Sequence, residues 1–251
     1  MVKRDRLVRY LDELLDNSQI QDASVNGLQV EGSAGVGRVA LATDAALSVY
    51  EKAVNNGCQM LVVHHGLIWN GIRRVTGRDL EHIRFLLEHD LNLYASHLPL
   101  DMHPRVGNNA GLADIAGVKD RRPFGEYHGL YLGFSGELEE PVSTENLVSA
   151  FTDEIGGSPV LLPFGPDLNS TAGIVSGGGS SCLKEAIDKK LDCYITGEGD
   201  HANYHVALES GINVIYLGHY ESETTGVKAL GRVIRDEFGL ETCFIDEPTL
   251  I

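Results

Sequence analysis

Histidines and carboxylates follow several apolar segments of the sequence, at the points where those segments end. In the segment "QMLVVHHG", for example, two adjacent histidines follow a short apolar run. Imidazole nitrogen and carboxylate oxygen are ligands that divalent transition metals favour in proteins. The residues of these types at predicted strand ends are Asp44, His64, His65, His97, Asp101, Glu198, His219 and Glu223. Their chemistry predicts a metal site.

Apolar strand-like segments alternate with helix-like segments in both halves of the sequence. The strand-like segments include "VALATD", "QMLVVHHG" and "LNLYASH" in the first half, and "AGIVS", "LDCYITGEG" and "INVIYLGH" in the second. This alternation is typical of βαβ units with a mainly parallel sheet. Because ligands of parallel α/β sheets bind outside the carboxyl ends of the strands, the sequence predicts an α/β fold that carries the candidate ligands at those ends.

The two halves share one order of elements. Residues 39–66 and 172–199 match without a gap, and in each half a further helix leads to a strand that ends in histidine. Such similarity can arise by coincidence among βαβ units, but we interpret it as duplication. We therefore predict two pseudo-symmetric α/β lobes, at residues 1–125 and 126–251, that form one compact unit. Between them, Ser143 or Thr144 is the predicted N-cap of a helix.

Two histidines in a row pose a geometric problem. Adjacent side chains on a strand point to opposite faces of the sheet, so His64 and His65 cannot share a site if the strand continues through them. We therefore predict that the strand ends at Val63 and that the backbone turns at Gly66. The two imidazoles would then diverge toward two metal ions lying side by side.

The remaining candidate ligands come in pairs four residues apart. His219 and Glu223 would lie on one face of a helix that begins near residue 221 or 222. The histidine and aspartate of "HLPLD" have the same spacing, but the proline between them predicts a loop. A carboxylate that bridges two ions is needed in such a centre, and Glu223 or Asp101 could supply it.

Composition narrows the classes of protein to which the chain can belong. The net charge of −16 argues against broad nucleic-acid binding driven by phosphate contacts. No apolar run approaches the ~18 residues of a membrane helix, and charges interrupt the first residues, unlike in a signal peptide. The four cysteines form no CxxC motif, which favours reduced thiols. We expect a cytoplasmic protein without membrane contacts.

With these residues identified, the sequence resembles the Nif-three-like family, often named GTP cyclohydrolase I type 2 and including the YbgI and YqfO proteins. The resemblance spans nearly the whole chain and rests on "NGLQVEG", "VVHHGLIW", "YASHLPLD" followed by "GNNAGLA", "GGGSS", "ITGEGDH" and "GHYESE". It implies a two-lobed α/β protein of the short form, without an inserted domain, that carries a dinuclear metal site and assembles as a toroidal homohexamer. The metal ligands implied by the motifs are His64, His65, Asp101, His219 and Glu223.

Two functions are compatible with this set of residues. The first is a hydrolase that uses two divalent ions per chain, of zinc, iron, manganese, nickel or cobalt, to activate water against a nucleotide or phosphoester. His97 and Glu198 would then transfer protons as catalytic groups, and Asp44 or Asn108 would orient ligands or substrate. The second is a non-catalytic metal-binding scaffold that presents its surface to other proteins or nucleic acid.

Overall fold

The computed structural model describes residues 1–72 and 74–249. The strands are Val2–Lys3 (β1), Gly27–Val30 (β2), Gly35–Val36 (β3), Arg38–Asp44 (β4), Met60–His65 (β5), Asn92–Ala95 (β6), Val118–Tyr127 (β7), Leu130–Ser143 (β8), Val160–Pro163 (β9), Leu168–Val175 (β10), Cys193–Thr196 (β11), Asn213–Tyr216 (β12) and Glu241–Phe244 (β13). The α-helices are Arg4–Leu15 (α1), Leu47–Asn55 (α2), Arg78–Glu88 (α3), Leu98–Met102 (α4), Asn108–Ile115 (α5), Thr144–Ile155 (α6), Leu183–Asp188 (α7), Asn203–Ser210 (α8), His219–Ser222 (α9) and Thr224–Phe238 (α10). None of the helices in the described residues combines the length and the apolar character that a membrane crossing requires.

The chain divides into two compact units. The first comprises Met1–Leu100 with Val227–Glu247, and the second comprises Asp101–Gly226 with the chain end that begins at Pro248. The segment before Pro248 belongs to the first unit because its strand β13 pairs with β4. The bounds predicted for the two lobes, residues 1–125 and 126–251, stay a prediction. The compact units of the structure are divided at other positions.

The first unit is built on a five-stranded sheet in the order β13-β4-β5-β6-β2. Strands β13, β4, β5 and β6 are parallel, and β2 is antiparallel at the edge. The central strands are buried almost throughout, as expected for parallel strands covered on both faces. Helices α2 and α3 contribute Tyr50 and Leu86 to the core, where each large apolar side chain stabilises the fold by about 1.5–3 kcal/mol.

The second unit is built on a six-stranded sheet in the order β7-β8-β10-β11-β12-β9. Here β10, β11 and β12 are parallel, whereas β7, β8 and β9 add three antiparallel pairings. The prediction of a mainly parallel sheet is therefore wrong for this unit. The reason is the β7–β8 hairpin, whose turn at His128 and Gly129 has positive φ at both residues, the requirement of a tight type I′ hairpin turn.

The two sheets nevertheless contain the same substructure. In each, three parallel strands lie in chain order beside an antiparallel edge strand that precedes them in the sequence, as β4-β5-β6-β2 and as β10-β11-β12-β9. The register also agrees, because Val39 pairs with Met60 and Ala172 pairs with Cys193. These are the positions that the sequence comparison aligns. The structure thus confirms an α/β fold with two pseudo-symmetric βαβ lobes, and the described residues contain no inserted domain.

Three local predictions were wrong. Strand β5 does not end at Val63 but continues through His65. Helix α4 includes Pro99, because a proline in the first turn removes an N–H that has no intrahelical partner in any case. Helix α9 begins at His219 rather than near residue 221 or 222, because Leu217 and Gly218 alone connect it to β12.

The predicted N-cap gives a test of local stability. The Ser143 side chain accepts a hydrogen bond from the backbone N–H of Asn146 at 3.2 Å and so caps helix α6. We expect Ser143→Ala to lower the free energy of unfolding by about 1 kcal/mol, measured by urea denaturation. Ser149→Ala, an exposed position within the same helix, is the control and should cost nothing measurable. Equal stability of the two variants would contradict the capping role.

Candidate metal centre

Three imidazoles meet in the first unit. His64 and His65 end strand β5, and His97 follows β6. The ring centroid of His64 lies 4.6 Å from that of His65 and 5.1 Å from that of His97, and one ring nitrogen from each of the three lies within 4.8 Å of the others. Strand β5 can therefore continue through both histidines while their rings still lie side by side. Both histidines lie past the part of β5 that pairs with β6, which ends at Val63 and Ala95, although His65 still pairs with Asp44 of β4.

Hydrogen bonds at Nδ1 fix the direction of the first two imidazoles. Nδ1 of His64 is 3.0 Å from the carbonyl oxygen of Ser96, and Nδ1 of His65 is 2.9 Å from Oδ1 of Asp44. An oxygen of either kind accepts a hydrogen bond, so Nδ1–H is the donor in both rings. In the neutral imidazole the other nitrogen, Nε2, then carries the lone pair that a metal requires. This is the arrangement that metal-ligating histidines adopt in proteins.

His97 is held in the same way by a residue that sequence reasoning missed. Its Nδ1 is 3.0 Å from Oδ1 of Asp22, a carboxylate that is 2% exposed. Asn26 donates to Asp22 at 3.0 Å and accepts from the backbone N–H of His97 at 2.8 Å. Burial favours the neutral acid, but the hydrogen bonds from His97 and Asn26 outweigh it and hold the pKa of Asp22 well below its usual range. Asp22 is therefore ionised and orients the His97 ring.

The second unit holds a buried aspartate in a network of neutral donors. Oδ1 of Asp101 accepts hydrogen bonds from Asn108 and from Ser176, each at 2.9 Å. Asn108 also accepts from the backbone N–H of Gly226 at 2.8 Å, so both ends of its amide are fixed. Asn109 in turn accepts a hydrogen bond from the backbone N–H of Ser176 and donates one to the Ser176 hydroxyl. The two asparagines of the "GNNAGLA" motif thus position the Asp101 carboxylate directly and through Ser176.

His219 lies between two carboxylates of the same unit. Its Nδ1 is 2.6 Å from Oε1 of Glu198, and its Nε2 is 3.1 Å from Oε2 of Glu223. Two ligand atoms bound to one ion at about 2.0–2.2 Å are roughly 3.0–3.4 Å apart, so the second distance fits a shared metal. The hydrogen bond to Glu223 raises the pKa of His219 to about 9 against the effect of burial, and Glu198 adds to the rise.

Gly177 explains one of the glycines in the "GGGSS" motif. Its φ of +56° is a backbone conformation that residues with a side chain rarely adopt. A Cβ atom at this position would also collide with Oε1 of Glu223. Its backbone N–H donates to the Ser222 hydroxyl at 2.9 Å, which fixes the loop against helix α9. The glycine therefore makes room for the Glu223 carboxylate beside His219.

The residues present fit a divalent metal ion. We call His64 and His65 the first ligand group, and Asp101, His219 and Glu223 the second ligand group, whereas His97 is a third imidazole beside the first group. Both offer imidazole nitrogen or carboxylate oxygen, the donors that suit zinc, iron, manganese, nickel and cobalt. Hydrogen bonds from within each unit orient these side chains. Asp44 contacts His65 in the first unit, and Asn108 donates to Asp101 in the second. That the two groups bind one pair of ions stays a prediction.

Sequence comparison relates the chain to a known protein family. A sequence model of the Duf34/NIF3 family (NGG1p interacting factor 3) matches residues 2–249. The chain belongs to the Duf34/NIF3 family. A family relative from Archaeoglobus fulgidus, named GTP cyclohydrolase 1 type 2 homolog, is 46% identical over 243 residues that cover 97% of each chain.

Solved structures extend the match to the fold. The chain is similar to protein ybgI, with 33% identity and a TM-score of 0.91, and to the protein TTHA1606 from Thermus thermophilus, with 37% identity and a TM-score of 0.91. Both matches cover 100% of each chain. The Duf34/NIF3 fold thus accounts for the whole chain, and the resemblance drawn from the motifs is confirmed.

The elevated pKa of His219 predicts how the metal-free protein responds to pH. Because the pKa rises from 6.5 to about 9 on folding, protonated His219 stabilises the fold fully below pH 6.5. This contribution is lost as the pH rises through about 9. We expect the difference in melting temperature between wild type and His219→Gln, measured in chelator, to shrink over that interval. His205→Gln, at an exposed helix position, is the control; a difference constant with pH would contradict the prediction.

The loop at Gly177 offers a test that changes no ligand. We expect Gly177→Ala to weaken Zn²⁺ binding at least about tenfold, because the new methyl group displaces the Glu223 carboxylate and the backbone disfavours alanine at this φ. Gly178→Ala is the matched control, since its Cβ would lie 3.7 Å from Glu198, an ordinary contact. Competition titration with a chelator measures both affinities. Equal affinities would show that Gly177 does not serve Glu223.

Proposed function

We propose that this Duf34/NIF3 protein is a dinuclear metal-dependent hydrolase that acts on a nucleotide or another phosphoester. The observation that carries the proposal is that His64, His65 and His219 each have Nδ1 hydrogen-bonded to an oxygen, which leaves Nε2 as the nitrogen available to a metal ion. The name of the relatives, GTP cyclohydrolase 1 type 2 homolog, supports a nucleotide substrate. The metal ligands in this proposal are His64, His65, Asp101, His219 and Glu223.

The number of ligands supports catalysis over a structural role. Structural zinc sites close their coordination with four protein ligands, whereas catalytic sites keep a position for water or substrate. Five protein ligands distributed over two ions leave such positions. When bound, a pair of divalent ions supplies Lewis acidity and makes water a stronger nucleophile at neutral pH.

The carboxylates and amides around the ligands keep them in place during turnover. Asp44 orients His65, and Glu198 orients His219, each through the Nδ1 atom. Asn108 and Ser176 orient Asp101. Such partners tune the basicity of a ligand and fix its tautomer, and replacing one in a metal site typically costs about 10–100-fold in metal affinity or activity.

His97 and Glu198 are the proposed proton-transfer groups. Asp22 is ionised and contacts Nδ1 of His97, so it stabilises the ring when Nε2 takes up a proton. Glu198 is half-exposed, with one carboxylate oxygen on His219, and its other oxygen can exchange protons with solvent.

The toroidal homohexamer and the cytoplasmic location stay predictions.

Metal analysis tests the dinuclear part of the proposal. Protein purified without a histidine tag and reconstituted with Zn²⁺ or Mn²⁺ should carry two ions per chain by mass spectrometry. Glu223→Ala should lose at least one of them, because it removes a buried carboxylate ligand. Glu209→Ala, an exposed carboxylate of the same unit, should keep both. Fewer than one ion per wild-type chain, or an unchanged count in Glu223→Ala, would falsify the assignment.

Turnover separates the hydrolase from the scaffold. The reconstituted protein should hydrolyse at least one member of a panel of nucleotides and generic phosphoesters, and chelation should abolish that activity. His97→Gln should lower kcat by about 10²–10⁴-fold while leaving the metal count unchanged, since general acid–base groups contribute on that order. Two bound ions without turnover on any substrate would instead favour the metal-binding scaffold.

A further inference from the structure

A pocket of about 230 Å³ opens in the first unit, beside the loop that follows the two histidines of strand β5. Its walls are formed by this loop and by helix α3. Apart from Gly71, the described residues that line it are Leu67, Ile68, Trp69, Ile72, Asp79 and Ile83. All of these side chains except that of Asp79 are apolar. We call this space the Trp69 pocket.

Trp69 is held in place although 38% of its surface is exposed. Its indole N–H donates to the carbonyl oxygen of Gly66 at 2.8 Å, and its backbone forms an antiparallel bridge with Ser24. The Gln29 side chain accepts hydrogen bonds from two consecutive backbone N–H groups of the loop, at 2.8 and 3.0 Å. The motifs "NGLQVEG" and "VVHHGLIW" therefore meet here. A ring that is exposed but already fixed loses little conformational entropy when a ligand contacts it.

The indole of Trp69 also contacts the imidazoles beside the candidate metal centre. Its ring centroid is 5.0 Å from that of His97, in an edge-to-face arrangement, and 6.2 Å from that of His65. Aromatic rings favour such offset contacts at these distances. The indole is thus part of the pocket wall and part of the surroundings of the histidines. A molecule in the pocket would contact the residue that packs against His97.

The size and the charge of the pocket restrict its ligand. Clefts that enclose drug-sized molecules measure about 300–1,000 Å³, whereas an apolar cavity of about 150 Å³ holds a benzene molecule. A volume of about 230 Å³ therefore suits a single ring. Among the described lining residues none carries a positive charge, and the Asp79 carboxylate repels an anion. These walls favour an uncharged, apolar group.

The indole favours an aromatic ring over an aliphatic one. Two aromatic rings gain more than the burial of the same area, because the negative face of one attracts the positive edge of the other. The exposed carboxylate of Asp79 attracts a positive ring edge in the same way. We infer that the Trp69 pocket binds a single uncharged aromatic ring.

The role of the pocket as a substrate subsite rests on the function proposed above. A substrate with an aryl group would place its ring on Trp69 and its reacting ester beside His97. Binding of the ring itself requires neither metal nor hydrolysis, so it can be measured separately from turnover.

Titration of the full-length protein in chelator tests the inference without any substitution. Because Trp69 is the only tryptophan of the chain, the fluorescence of the protein above 340 nm reports on this loop. Benzyl alcohol should change the emission in a saturable way. Cyclohexylmethanol, with the same number of carbon atoms, should bind about two- to tenfold more weakly, because it lacks the attraction between aromatic rings. Absence of saturation by benzyl alcohol, or equal or tighter binding of cyclohexylmethanol, overturns the inference.

Two substitutions in the same loop assign the binding to the pocket and keep the fluorescent residue. Ile72→Ser removes apolar contact area from the lining and should weaken benzyl alcohol at least about threefold. Val75→Ser, at another exposed apolar position of the loop, is the matched control and should bind as wild type does. Melting temperatures verify that both variants are folded. Equal affinities of the two variants would refute the assignment to this pocket.

Turnover then relates the pocket to the proposed hydrolase. The KM of the metal-reconstituted protein for phenyl phosphate should be at least about tenfold below that for methyl phosphate, since burial of a ring is worth that much affinity. Trp69→Leu should raise the KM for phenyl phosphate more than that for methyl phosphate. Hydrolysis with equal KM values would refute the subsite and leave the hydrolase standing. Saturable binding of benzyl alcohol without hydrolysis of any ester would refute the hydrolase and leave the ring pocket standing.

Discussion

The hydrogen bond at Nδ1 of each candidate ligand imidazole is the interaction on which the rest of the site depends. It makes Nδ1 the hydrogen-bond donor and fixes the direction of the ring, so that Nε2 is the nitrogen available to a metal ion. For His64 the acceptor is a backbone carbonyl, which no substitution of a side chain removes. For His65, His97 and His219 it is a carboxylate, which also makes the ring a stronger base.

The pseudo-symmetric fold explains why these interactions recur. The alignment that places Met60 on Cys193 also places His65 on Glu198, and both residues lie at the carboxyl end of the middle strand of a parallel trio, His65 as its last residue and Glu198 two residues after it. In each unit, the residue at that position approaches a histidine that comes after the next strand. In the first unit this is His97, with its ring centroid 5.6 Å from that of His65, and in the second it is His219. Equivalent positions in the two units thus carry two chemical variants, a pair of imidazoles and an imidazole with a carboxylate.

The sequence was sufficient for the parallel trios and for the residue types at their ends, because both follow from local alternation and apolar patterning. It could not supply Asp22, which lies 75 positions before His97 in a segment without regular structure and meets it only through folding. It also misjudged strand β5, because the alternation rule describes the direction of the Cβ atom and not the final position of a ring held at Nδ1. Pro99 was misread as a helix breaker, since a first helical turn tolerates it.

The family motifs acquire physical meaning through contacts that are remote in sequence. Asn26 of "NGLQVEG" fixes the carboxylate behind His97, and Gly177 of "GGGSS" leaves space for Glu223. Each ligand is therefore supported from within its own unit, as Asp22 supports His97 in the first and Glu198 supports His219 in the second. A substitution that loosens one donor leaves the donors of the other unit oriented, so a loss of metal affinity can be traced to one half of the site.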